Sequence, residues 1–292
     1  MKMMTPITRR TFLKKSILSL LGGMFVTSFG YYYARFIEPN RLTITSHSIF
    51  HPLIPKSFDG VKIVQFSDTH LGHYYSLAHL RRIVKQINDI KPDLVFFTGD
   101  LMDAPNKYRY ADDIIPIFAD IRAPFGKFCI YGNHDHGGYG TRLYRKVMTK
   151  AGFRMLVNEH VLIEQIDQSK IAIAGADDLM LGKPNFDDML KKIPPSTYTI
   201  LLLHEPDGAK EASRYGVHLQ LSGHSHGGQI QLPFIGPLIT PPLAVQYYEG
   251  FYQIQDMTLY VNRGLGTTRM PFRFLTPPEL TVFTLKHQPP SS

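Results

Sequence analysis

Val61-Lys62-Ile63-Val64-Gln65-Phe66-Ser67-Asp68-Thr69-His70 reads as a buried strand that ends in a cluster of polar groups. Outward from it the same arrangement repeats. Leu77, Leu80, Ile83, Val84, Ile87 and Ile90 recur at helical spacing, and Lys91-Pro92 closes that helix. Leu94 to Thr98 forms the next strand and runs into Gly99-Asp100-Leu101-Met102-Asp103, with a helix predicted from Asp112 to Ile121. Phe128 to Tyr131 leads into Gly132-Asn133-His134-Asp135, and a further helix is predicted from Arg142 to Lys150. Short apolar runs alternating with amphipathic segments are the pattern of α/β layering.

The second half carries more strand, at Val161 to Ile166, Lys170 to Ala174, Tyr198 to Leu203, Leu219 to Leu221, Leu259 to Asn262 and Leu280 to Lys286. Asp167-Gln168-Ser169-Lys170 reads as a hairpin turn between two of them. One of these strands ends at His204, and another runs into Gly223-His224-Ser225-His226. A strand-rich second half predicts two sheets packed together with helices outside. Thr43 to His47 and Ile49 to His51 predict an edge strand, and the proline-rich Pro233 to Pro242 predicts an ordered, non-helical loop beside the last cluster.

Charge separates the chain into two parts. The formal net charge is +8, but seven basic residues against Glu38 fall within residues 1–41, which leaves +2 for the remainder. The basic balance therefore belongs to an N-terminal segment, and no nucleic-acid partner is expected for the folded domain. The single cysteine, Cys129, sits in an apolar run and excludes an intramolecular disulfide.

A lone Asp-x-His is ordinarily a surface turn, a lone His204 a strand-end cap, and Asp100 or Asp103 alone a helix N-cap. Five clusters in one order, each at a strand end, point instead to a single site, because ligand sites of open α/β sheets collect at the carboxyl ends of strands. Their donors are carboxylates, imidazoles and one amide. A two-metal phosphoester site needs such donors on both sides of a bridging carboxylate, with cations about 3.5 to 4 Å apart. Gly99, Gly132 and Gly223 fit tight turns close to the site.

With these clusters come Gly227-Gly228-Gln229, Asn262-Arg263-Gly264-Leu265-Gly266 and Pro278-Glu279-Leu280. Together, over Val61 to Lys286, they resemble the calcineurin-like metallophosphoesterases and, within them, the exported, YkuE-like bacterial branch. The resemblance implies an α/β fold, a four-layer αββα sandwich of two mixed sheets flanked by helices. It implies a first metal held by Asp68, His70, Asp100 and His226, and a second held by Asp100, Asn133, His204 and His224. Nitrogen and oxygen donors without thiolate suit two divalent ions of manganese, iron or zinc. His134 is implied to stabilise the transition state or protonate the leaving oxygen, with Asp103 orienting its imidazole and Asp135 as the alternative orienter. Arg263, His73 and His136 are candidates for substrate contact, with Arg269 and Arg273 as further ones. Asp177-Asp178 are read either as loop caps or as supports behind the site.

Thr8-Arg9-Arg10-Thr11-Phe12-Leu13-Lys14 closely resembles the twin-arginine export motif, and an apolar stretch from Ile17 to about Tyr33 follows. Residues 1–40 are accordingly read as a signal or membrane anchor, 41–60 as a connecting segment and 61–287 as the metallophosphoesterase domain. The expected partners are the twin-arginine translocase during export, a phosphate-ester substrate, and the membrane or cell wall outside the cytoplasm. The function expected is an exported, dinuclear-metal-dependent phosphoesterase. Two alternatives are a pyrophosphatase of a nucleotide-linked lipid or sugar such as UDP-2,3-diacylglucosamine, and a non-catalytic cell-wall binding module.

Overall fold

The structure, a computed structural model, describes residues 8–136 and 140–288. Residues 1–7, which include Lys2 and the start of the signal segment, lie outside the described residues. Strands β1 (Thr43–His51), β2 (Lys62–Phe66), β3 (Leu94–Phe97), β4 (Gly126–Cys129), β5 (Arg154–Met155) and β14 (Glu279–His287) form one sheet in the order β1-β14-β2-β3-β4-β5. A second sheet holds β6 (Glu159–Glu164), β7 (Lys170–Gly175), β8 (Tyr198–Leu202), β9 (Leu219–Ser222), β12 (Gly250–Ile254) and β13 (Met257–Val261), ordered β12-β13-β9-β8-β7-β6. Both sheets are mixed: parallel pairs run through β2-β3-β4 and β7-β8-β9, and antiparallel pairs occur at β14-β2, β6-β7 and β12-β13.

The two-residue period of each strand sorts its side chains into separate layers. Val64, Phe66, Val95 and Phe97 face α2 (Leu77–Ile90), α3 (Ala111–Ala119) and α5 (Thr141–Lys150), packing against Leu80, Val84, Ile114, Phe118 and Val147. Their neighbours Ile63, Leu94 and Phe96 turn the other way and meet Ile171, Ile173, Ile200, Leu202 and Leu221 between the sheets. Ala174, Leu201 and Leu203 then pack on α6 (Phe186–Leu190) and α7 (Ala209–Ala212). Helix, sheet, sheet and helix layers follow in that order, as the sequence predicts.

Several local readings hold in detail. Lys91, at φ 56°, ends α2 ahead of Pro92. The segment 41–60 contributes a full strand: β1 lies parallel to β14 across nine residue pairs at the sheet edge. Cys129 is buried among the α2–α3–α5 contacts, and burial pushes its thiol pKa well up. Pro233 to Pro242 is non-helical and includes part of a small hairpin, β10 (Gln231–Leu232) and β11 (Gly236–Pro237).

Helix α1 (Arg9–Tyr32) precedes the sandwich, with the Thr8 hydroxyl accepting the Thr11 N–H at its start. None of its residues is buried, and it is long and apolar enough to cross a membrane. The segment after it is fixed to the domain. Arg273 N–H donates to the Ala34 carbonyl at 3.0 Å, and Thr276 N–H donates to the buried Glu38 carboxylate at 2.6 Å.

Candidate metal centre

The carboxyl ends of β2, β3, β8 and β9, together with α4 (Asn133–His136), converge on one cavity of about 190 Å³. The two sheets are tied there by side chain to backbone bonds. His224 N–H donates to the Asp68 carboxylate at 3.1 Å, and His204 Nδ1–H donates to the Thr98 carbonyl at 2.6 Å. Asp68, His70, Asp100, His204, His224 and His226 are all buried.

Tight turns aim these side chains. Asp68, His70, Asp100, His224 and His226 all have φ between 43° and 68°, a left-handed region that costs a non-glycine residue about 1 to 3 kcal/mol. Strain repeated at five neighbouring positions marks a site that the rest of the fold holds in place. Gly99, at φ 100°, precedes Asp100, and a Cβ at Gly132 would meet Asp100 Oδ1 at 2.3 Å, so neither position accepts a side chain.

The donors fall into two groups joined at Asp100. On one side His226 Nε2 lies 3.5 Å from Asp68 Oδ1 and 3.0 Å from His70 Nε2. On the other, Asp100, His204 and His224 bring one donor atom each within 4.8 Å of one another. His70 Nε2 and His204 Nε2 approach the same Asp100 Oδ2 at 3.5 and 3.4 Å. Asp68, His70 and His226 fall within the set that the resemblance implies for a first ion, and Asp100, His204 and His224 within that for a second; Asn133 belongs to neither group.

The buried polar atoms fit a cation. His204 Nε2 and the Asn133 amide oxygen are buried with no hydrogen-bond partner among the described residues, a costly state unless something else meets them. With Nδ1–H bound to Thr98, His204 turns Nε2 toward the centre, where Asp100 and Asp68 raise its pKa well above the ordinary value against the opposing effect of burial. His224 Nε2–H donates to the Pro242 carbonyl at 2.8 Å, which leaves its Nδ1 for the centre. Burial lowers the His224 pKa to about 4, so it stands neutral, as a ligand must. At Asp100, burial raises the pKa but His204, His134 and His70 outweigh it, and the group is held well below the usual carboxylate range. Asp68 is raised, chiefly by burial. A bound cation would favour the ionised form of both.

His134 lines the cavity and has a raised pKa, because Asp100, the Asp103 carbonyl and the Asp103 carboxylate overcome the opposing effect of burial. Its Nδ1–H donates to the Asp103 carbonyl at 2.7 Å, which leaves Nε2 to take up and release a proton. Its ring also lies 4.6 Å from that of His70, and one further donor group joins His70, Asp100 and His134.

Asp103 orients His134 through its backbone oxygen, while its carboxylate lies nearer His70 Nδ1, at 3.3 Å, than His134 Nδ1, at 3.9 Å. Asp135 does not orient His134. Its buried carboxylate accepts the N–H groups of Asp100, Leu101 and Gly132 at 2.8, 3.0 and 2.9 Å and so shapes the Asp100 turn. Burial and Asp100 push its pKa up to about 7 against those donors.

The substrate-contact candidates are placed elsewhere. Arg263 Nε donates to Glu279 at 3.1 Å, and His136 Nε2 pairs with Asp177 at 2.7 Å. His73 Nδ1 lies 3.9 Å from the Asp103 carboxylate. None of the three borders the cavity, whereas Arg269 does, with Met180, Ile230, Leu238, Ile239 and Met270. Arg273 is fully buried and donates to the carbonyls of Arg263, Gly264, Gly266 and Thr276, 3.5 Å from His226 Nδ1. Asp177 and Asp178 cap the loop they begin, accepting Lys183 N–H and Leu181 N–H. The Thr98 and Pro242 carbonyls had no sequence signal, since any residue supplies a carbonyl.

The sequence profile of calcineurin-like phosphoesterases matches residues 61–228. An uncharacterized metallophosphoesterase of Bacillus subtilis, YkuE, is 52% identical over 283 residues, covering 97% of this chain and 99% of that protein. An uncharacterized metallophosphoesterase of Aquifex aeolicus is 33% identical, covering 86% and 94%. UDP-2,3-diacylglucosamine pyrophosphatase LpxG of Chlamydia trachomatis is 26% identical, covering 88% and 93%. A profile match over more than half of the chain, and a relative aligned along nearly all of it, agree with the clustered donors: this chain belongs to the calcineurin-like phosphoesterases and is a metal-dependent phosphoester hydrolase.

Proposed function

We propose that the protein is an exported phosphoesterase that holds one divalent cation among Asp68, His70, Asp100 and His226 and a second among Asp100, Asn133, His204 and His224. The observation that supports this most is the shared Asp100 oxygen, approached from two sides by His70 and His204. When bound, such a pair supplies charge stabilisation at the phosphoryl group and a water of lowered pKa. Manganese, iron and zinc all suit the donors.

The chain's own contributions follow from its geometry. His134, held by the Asp103 carbonyl and with its pKa raised by nearby carboxylates against burial, gives its Nε2 proton to the leaving oxygen as the P–O bond breaks. Asp103 steadies both His134 and His70 from behind. Asp135 fixes the Asp100 turn through three backbone donors. Asn133 offers an amide oxygen, a ligand that adds no negative charge near a phosphate.

Export rests on the twin-arginine pattern Thr8 to Lys14 and on α1, whose 24 residues extend about 36 Å. Basic residues concentrate ahead of the apolar stretch, which favours a cytoplasmic N-terminus and an outward-facing domain. The test is a panel of aryl phosphate, bis-aryl phosphate and nucleotide diphosphate substrates with manganese-, iron- or zinc-loaded protein. Turnover of the esters supports the reading. Release of nucleotide monophosphate alone would favour a pyrophosphatase, the activity in the name of the Chlamydia relative. Turnover of none, with metal bound, would favour a binding module.

A further inference from the structure

The apolar wall of the cavity continues onto the protein surface. Leu238 and Ile239 line the cavity and are themselves more than half exposed. At the tip between β10 and β11, Phe234 is fully exposed and Ile235 is 72% exposed. Met180 and Met270 line the same cavity and are likewise exposed. Adjacent exposed apolar side chains on this scale mark an interaction surface.

That face adjoins the end of α1. Gln231 N–H donates to the Phe274 carbonyl at 2.9 Å, and Phe274 N–H donates to the Gln229 carbonyl at 2.8 Å, so the strand leading to the tip is pinned to the 272–274 segment. The Phe274 ring meets Tyr33 edge-on at 6.2 Å, and the Phe272 ring meets Tyr31, in the last turn of α1, at 5.4 Å. The bonds from Arg273 to Ala34 and from Thr276 to Glu38 fix this junction. Just past the helix, Arg35 lies over the Tyr74 ring at 4.4 Å and Arg41 reaches the Tyr33 hydroxyl at 3.5 Å. A helix long enough for a bilayer thus leaves the domain beside an exposed apolar hairpin and the mouth of the site.

We propose that this face docks on the bilayer that α1 enters, with Phe234 and Ile235 inserted beside the helix. The cavity then takes a phosphoester whose apolar part stays in the bilayer, a membrane amphiphile and not a free sugar or nucleotide phosphate. Its phosphoryl group lies toward Asp100 and His134, and its apolar part follows Ile230, Leu238, Ile239 and Met270 outward. The substrate class rests on the phosphoesterase reading above; the docked face does not.

The chain has no tryptophan, so Phe234→Trp places a single fluorescent reporter at the tip. In the full chain reconstituted in phosphatidylcholine–phosphatidylglycerol nanodiscs, the emission shifts to the blue and bromine-labelled acyl chains quench it. Solvent-like, unquenched emission overturns the docking. In the second arm, metal-loaded full chain is given phosphatidic acid and phosphatidylglycerol in the bilayer, their water-soluble headgroup analogues, and an aryl phosphate. Bilayer esters are turned over faster than the soluble analogues. Phe234→Ser combined with Ile235→Ser lowers only the bilayer rate, by at least about tenfold, through lost apolar insertion. Equal or faster turnover of the soluble analogues, or an equal loss on the aryl phosphate, overturns the substrate class. Turnover of none overturns the phosphoesterase reading and the class with it, while the fluorescence arm still reads the docked face.

Discussion

The Asp100 carboxylate accepts the backbone N–H of His134 at 2.9 Å, so the proposed bridging ligand and the proposed acid are locked to each other. Oδ1 is taken by that bond, and Oδ2 is left facing His70 and His204. Replacing Asp100 by Asn keeps the size but removes the shared charge. Both ions are expected to weaken and turnover to fall at least about a hundredfold, read by metal content and aryl phosphate hydrolysis together. Full metal content with lost turnover would refute the bridging role.

His134→Ala separates acid from ligand. Metal content is expected to stay at the wild-type level while turnover falls by about 10² to 10⁴. His134 has a raised pKa, so it holds its proton to higher pH than an ordinary imidazole and loses it as pH rises through that raised value. Wild-type turnover therefore falls on the alkaline side, and the residual rate of His134→Ala lacks that limb. Loss of a metal ion in this variant would make His134 a ligand, as its closeness to His70 and Asp100 permits.

Arg263 is expected to act on stability and not on substrate. Its guanidinium pairs with buried Glu279, which also accepts from Thr45 and Tyr260 hydroxyls. Arg263→Ala leaves that carboxylate partly uncompensated and should cost about 2 to 4 kcal/mol. Thermal unfolding measures the loss, and KM for an aryl phosphate should change little. A raised KM with unchanged Tm would restore Arg263 as a substrate contact.

His218 predicts an acid limb in stability. Burial, then the charge of His51, lowers its pKa to about 4, and its Nδ1 accepts Thr199 N–H at 3.0 Å. Above the unfolded value of about 6.5 both states are neutral and it has no pH effect. As pH falls below that value the unfolded chain binds a proton that the folded one refuses, and stability is lost. His218→Asn keeps an acceptor and cannot titrate. The variant is expected to have the lower Tm at pH 7.5, with the gap narrowing between pH 6.5 and 4; a constant gap would contradict this.

What was legible followed from local pattern. Strands at 62–66, 94–97 and 219–222 and the clusters at their ends could be read because apolar runs and the polar residues after them are contiguous in sequence. The pairing of β1 with β14, the fully buried Arg273 and the capture of Arg263 by Glu279 were not legible as such, since each joins distant segments. Nor does sequence reveal that Asp68, His70, Asp100, His224 and His226 are held in left-handed conformations. Aspartate and histidine reach that region more readily than most residues, so their identity gives no warning of strain. Asp103 shows the finer limit: its neighbourhood to His134 was readable, but its carboxylate turns toward His70.

The central claim is that two ions share Asp100 and that hydrolysis needs both. Metal-free protein titrated with manganese, with bound metal and aryl phosphate turnover followed together, tests it most directly. Turnover should rise to a plateau at two ions per chain, and in Asp100→Asn neither plateau should be reached. Full turnover at one ion per chain, or two bound ions with no turnover of any phosphoester, would contradict it.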